Sequence, residues 1–200
     1  IIMTDLDNNQ ITAFHPGAMG EAHQTRITAR EDIRLAIIAP DGRDAMIGHA
    51  EQLAAAGIPF IFDPGQGLPM FNGEELRRFV SQATWVALND YEARMLCERT
   101  GQDLASLSRS HLQGVVVTLG DQGCEVWTQG ERQHIPGVKA TAVVDPTGCG
   151  DAFRAALLYG LERGWALARC AELGNRLGAL KIACSGPQNH RIERATLALD

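Results

Sequence analysis

The chain has 200 residues, 45% apolar and 21% charged, enough to bury one substantial core in one domain or at most two. A formal net charge of −6 argues against a dominant nucleic-acid or anionic-membrane partner, because such binding normally shows a basic patch or stripe, but it leaves small anionic ligands open. Five cysteines, at 97, 124, 149, 170 and 184, have no C-x-x-C spacing and suggest neither a disulfide framework nor a zinc knuckle, so a reducing cytoplasm is the expected home.

The chain opens on Ile1-Ile2-Met3-Thr4-Asp5, which has the character of a strand already under way and suggests a fragment of something longer. Ile11-Thr12-Ala13-Phe14 alternates in polarity and ends at Pro16-Gly17, the pattern of an edge or lid strand rather than a core one. From there apolar β-rich runs alternate with helical patterns. A strand at 35–39 precedes a helix at 44–56 stopped by Gly57, and a strand at 59–63 leads through a turn-rich stretch to a helix that Asn72 caps. A strand at 85–88 ends in Asn89-Asp90, followed by a helix over about 91–99, a short helical segment near Leu104 and a buried β-branched strand at 115–118. Strands around 125–127 and 133–135 form a hairpin-like excursion, and a strand at 142–145 leads into a helix after Gly150. A long helix covers about 166–183 and a last helical segment starts at Ile192. Such alternation predicts parallel strands joined by crossover helices, an α/β fold. No stretch of about 18 apolar residues is free of charge, so no membrane-spanning helix is expected, and no signal peptide is apparent. The six histidines are scattered, without H-E-x-x-H spacing, and read as surface or structural residues rather than metal ligands.

The most informative run is Asp145-Pro146-Thr147-Gly148-Cys149-Gly150-Asp151-Ala152-Phe153, a glycine-rich turn opening a helix. Gly148 and Gly150 let the backbone approach a ligand closely, and the free N–H groups of a first helical turn carry the positive end of the helix dipole. Asp151 there either complements the dipole or acts as a base beside a bound phosphate, and two glycines just before it favour the second reading. Asn89-Asp90-Tyr91-Glu92 sets an amide and a carboxylate at i and i+3 where a strand's carboxyl end turns into a helix, the edge at which open α/β sheets bind ligands; an ordinary helix cap has the same look. Thr118-Leu119-Gly120-Asp121-Gln122-Gly123 is a glycine-rich turn after a strand. A dinucleotide fingerprint fails because Phe153 stands where G-x-G-x-x-G needs Gly or Ala, and no Walker A sequence is present.

These segments, in this order, resemble the PfkB, or ribokinase-like, family of sugar and nucleoside kinases, and the text from Thr4 to Met19 resembles its bacterial adenosine-kinase-type members. The resemblance implies a doubly wound, mostly parallel sheet flanked by helices over 31–200, with 1–30 as the remnant of a small β lid and its connection. It implies Asp151 as general base on the acceptor hydroxyl and the backbone of Gly148, Cys149 and Gly150 as an anion hole for the transferred phosphoryl group. Thr118, Gly120, Gly123 and Thr147 would lie beside the nucleotide, Asn175 near the ATP base, and Asn89 and Glu92 would orient a hydrated Mg²⁺ through water. Cys149 departs from the family's usual small residue there, and its thiol is a site of oxidative inactivation if exposed. The Asp63-Pro64-Gly65-Gln66 turn resembles one in related nucleoside kinases, with no catalytic role implied.

The implied reaction is transfer of the γ-phosphoryl group of ATP·Mg²⁺ to a primary hydroxyl of a nucleoside, adenosine favoured, or of a sugar, by a monomer or homodimer. Residues 1–200 contain no match to the family's glycine-pair signature or to its acidic residue for ribose hydroxyls. The alternative expectation is therefore a truncated, non-catalytic ATP-binding remnant.

Overall fold

The computed structural model describes residues 1–4, 10–27 and 32–193. Strands β1 (Ile2–Thr4) and β2 (Gln10–Thr12) pair antiparallel in a small sheet of their own, with Ile11 exposed, as expected of a non-core strand; Phe14, expected to end that strand, lies beyond it and is exposed too. The main sheet has six strands in sequence order: β3 (Ala36–Ile38), β4 (Phe60–Phe62), β5 (Trp85–Asn89), β6 (Gly114–Thr118), β7 (Gly123–Thr128) and β8 (Glu131–Pro136). The first four run parallel; β7 and β8 complete the sheet antiparallel.

Side-chain alternation along the central strands explains why helices cover both faces. Phe60, Phe62, Val86, Leu88, Val115 and Val117 point to one core, whereas Ile61, Ala87 and Val116 point to the other. The first core is closed by α1 (Arg43–Ala55), α2 (Gly73–Gln82), α3 (Asp90–Thr100) and α4 (Leu104–Ser108), through residues such as Met46, Leu76, Phe79, Leu96 and Leu107. The second is closed by α5 (Cys149–Glu162) and α6 (Leu167–Ile182), through Phe153, Leu157 and Cys170. Asn72 caps α2 in a full capping box with Glu75, a local device worth about 1 kcal/mol.

Two sequence expectations change. The residues at 125–127 and 133–135 do form an antiparallel hairpin, but it is no excursion: it is the edge of the main sheet, because β7 pairs directly with β6. The apolar run before Asp145 is not a strand: Val143 and Val144 are exposed, and the N–H groups of Val144 and Asp145 both donate to the Ile182 carbonyl at the end of α6. The segment expected to be helical from Ile192 shows no helix at 192–193, and its remainder lies outside the described residues, as do positions 5–9 of the lid-like text.

Candidate active site

Three neighbouring parallel strands deliver polar residues to one edge of the sheet. Asp63 follows β4, Asn89 ends β5 and Thr118 ends β6, with Asn89 and Thr118 paired in register. Asn89 and Glu92 close a capping box at the start of α3. The Asn89 side chain accepts from the Glu92 N–H at 2.8 Å, while the two Glu92 carboxylate oxygens accept from the Asn89 N–H and side-chain amide, each at 2.8 Å. Burial pushes the Glu92 carboxyl up, opposed by the Asn89 N–H and then by the nearby Arg154 guanidinium. The cap reading and the ligand reading thus describe the same residues. Among the described residues no group of three His, Cys, Asp or Glu side chains could hold a metal ion directly. A carboxylate retains lone pairs after two such bonds, so Glu92 keeps acceptor capacity for a further donor such as water.

The glycine turn is anchored from behind. Asp145 accepts from the Thr147 N–H at 2.9 Å and the Gly186 N–H at 2.8 Å, and these bonds, Thr147 first, hold its carboxyl below the usual carboxylate range. The fully buried Lys181 ammonium donates to the carbonyls of Asp145, at 2.7 Å, and Cys184, at 3.1 Å. Gly148, the residue before α5, has φ 88°, and a Cβ there would lie 2.9 Å from the Pro187 carbonyl oxygen, so glycine is required on both counts. The Cys149 N–H donates to the Pro146 carbonyl at 3.1 Å. Gly150 and Asp151 lie in the first turn of α5, where N–H groups lack intrahelical acceptors and no side chain caps the helix. Asp151 itself is exposed. Cys149 is half-buried and burial raises its thiol, with Lys181 opposing, which disfavours the reactive thiolate.

The turn from Thr118 to Gly123 and Asn175 meet at one place. A Cβ on Gly123 would lie 2.2 Å from the Ile135 carbonyl oxygen, and the Asn175 amide donates to the carbonyls of Ile135, at 3.3 Å, and Pro136, at 3.0 Å. Thr118 donates its hydroxyl to the Leu88 carbonyl at 3.3 Å. Asn175 therefore ties α6 to the end of β8 beside this turn.

Sequence reasoning missed Arg154. Its Nε and Nη2 donate to the two carboxylate oxygens of Asp63 at 3.0 and 2.9 Å, a bidentate pair with side chains only 12% and 11% exposed. The available signals were Asp63 at a strand end and an arginine three residues after Asp151 on one helix face. This pair links α5 to Asp63 at the end of β4, and the charges of both partners act on the Glu92 carboxyl.

An open α/β sheet with a glycine turn and a helix N-terminus that no side chain caps, near strand-end polar groups, is an arrangement suited to phosphate-bearing ligands. A model of the pfkB family of carbohydrate kinases matches residues 1–194, and the chain belongs to that family. The nucleoside kinase of Burkholderia thailandensis, solved in complex with inosine, is 50% identical, with a TM-score of 0.94 over 98% of this chain and 64% of that one. Its complex with ADP-inosine gives a TM-score of 0.92 over 98% of this chain and 61% of that one, again at 50% identity. The nucleoside kinase of Methanocaldococcus jannaschii is 29% identical over 192 residues, 94% of this chain and 62% of the relative. The chain spans about three fifths of the length of the curated relatives it matches first, 62% and 61%. The fold is ribokinase-like, a mostly parallel sheet flanked by helices, as the sequence implied.

Proposed function

We propose that this chain carries the nucleotide-binding and phosphoryl-transfer part of a kinase that moves the γ-phosphoryl group of ATP to a primary hydroxyl of a nucleoside, adenosine favoured, or of a sugar. The observation that carries this reading is the exposed Asp151 one residue after Gly150, in an uncapped first turn whose preceding loop is fixed by Asp145 and Lys181. Asp151 takes the acceptor's hydroxyl proton, a role typically worth about 10²- to 10⁴-fold. The Gly148–Gly150 backbone forms the anion hole, and because Cys149 N–H is already bonded to Pro146, the donors at Gly150 and Asp151 carry most of that work. Thr118, Gly120, Gly123, Thr147 and Asn175 border the nucleotide. Asn89 and Glu92 would orient water around Mg²⁺, which when bound would offset the charge of the phosphates.

Support for a nucleoside acceptor comes from the Burkholderia relative, solved with inosine and with ADP-inosine. No helix among the described residues is long and apolar enough to cross a membrane, and five free cysteines fit the cytoplasmic location we propose. An ADP-release assay with adenosine, inosine, ribose and fructose tests the reading. Turnover strongest with a purine nucleoside supports it. ATP binding without turnover on any acceptor would instead select the non-catalytic nucleotide-binding alternative.

A further inference from the structure

Burying a guanidinium and a carboxylate together strips water from both, and such a pair often contributes no more stability than apolar residues of the same size. Asp63 and Arg154 are nevertheless paired bidentately with only 11% and 12% of their side chains exposed, from positions 91 residues apart in sequence. Their geometry suggests a use beyond stability. The fork to Asp63 engages Nε and Nη2, and a guanidinium has five N–H donors, so the two on Nη1 fall outside the fork. Nη1 lies on the side of the glycine turn, 3.6 Å from where a Cβ on Gly150 would stand. Gly150 thus leaves open the space between the helix N-terminus and this amino group. The Glu92 carboxyl feels the charges of both members of the pair.

We propose that Arg154, aimed by Asp63, donates from Nη1 to the terminal phosphoryl group of ATP held at the Gly150–Asp151 turn. The proposal rests on the kinase reading above and adds a phosphate-binding side chain to a site otherwise built from backbone donors. Asp63 is a positioning residue: it touches no ligand and fixes the fork that turns Nη1 toward the anion. Arginine suits the task because its planar fork serves a carboxylate and a phosphoryl oxygen at once, which a lysine ammonium on a flexible stem does not.

Calorimetric titration of the chain with Mg·ADP and with Mg·AMP-PNP, an ATP analogue that keeps the terminal phosphoryl group, tests this directly. Arg154→Gln is expected to weaken the analogue about ten- to a hundredfold, the worth of a charge-assisted hydrogen bond, with ADP binding unchanged. Asp63→Asn is expected to shift the analogue-to-ADP ratio in the same direction by a smaller factor. Thermal melts of each variant report whether it folds, and Arg154→Lys, which keeps the charge without the fork, replaces the glutamine variant if that one does not; its ratio should also fall. Folded variants that leave the ratio at its wild-type value overturn the role of Arg154 alone. A wild-type chain that binds neither nucleotide overturns the kinase reading, and this proposal with it.

Discussion

Glu92 closes the capping box of α3 and is also the carboxylate proposed to face the phosphates through water. Both its carboxylate oxygens are committed to Asn89, yet burial still dominates and raises its carboxyl from the ordinary 4.5. A carboxyl with a raised folded value favours the folded state below its unfolded value, and that contribution is lost as pH climbs through the folded value. Relative to Glu92→Gln, wild-type stability should therefore decline as pH rises from about 4.5 upward, measured by denaturant melts at a series of pH values. A difference that grows over that range would mean the Asn89 bonds outweigh burial. The Asn89–Glu92 box was legible in sequence because its partners are three residues apart. The Asp63–Arg154 pair was not, because nothing local marks two residues 91 positions apart as partners.

At the scale of elements, the α5–α6 pair holds the glycine turn in place. The two helices approach at Gly174, where a Cβ would lie 2.5 Å from the Phe153 ring, two residues after Asp151. Gly174→Ala should therefore destabilise the chain by about 1–3 kcal/mol through overpacking, read as a lowered denaturation midpoint, and should displace the first turn of α5. A neutral effect would show that Phe153 has room to move. The long helix and its predecessor were legible from their periodicity. The run at 142–144 misled because an apolar β-branched stretch carries the same local signal whether it joins a sheet or, as here, gives backbone donors to the Ile182 carbonyl some 40 residues later.

For the whole molecule, a mostly parallel sheet with helices on both faces sets the positions of Asp63, Asn89 and Thr118, and that architecture was legible from the alternation of strands and helices. What the alternation could not show was that β7 and β8 extend the sheet, since pairing with β6 is a long-range choice between sheet edge and separate hairpin. Beneath the Asp63 edge, Phe79 stacks on Phe62 with centroids 4.4 Å apart and meets Phe71 edge-on at 4.9 Å. Phe79→Ala should cost about 3–5 kcal/mol in global stability, checked by chemical denaturation. A loss under 1 kcal/mol would mean this aromatic cluster is not where the sheet's first face is held.

The measurement that bears most directly on the central claim is transfer of label from γ-labelled ATP to adenosine or inosine, run on the wild-type chain and on Asp151→Asn with nucleotide affinity measured in parallel. The account predicts labelled nucleoside monophosphate from the wild type, and a loss of about 10²-fold or more in the variant with ATP binding intact. Equal transfer by both proteins would contradict it, because the glycine turn would then hold its anion without Asp151 as the base.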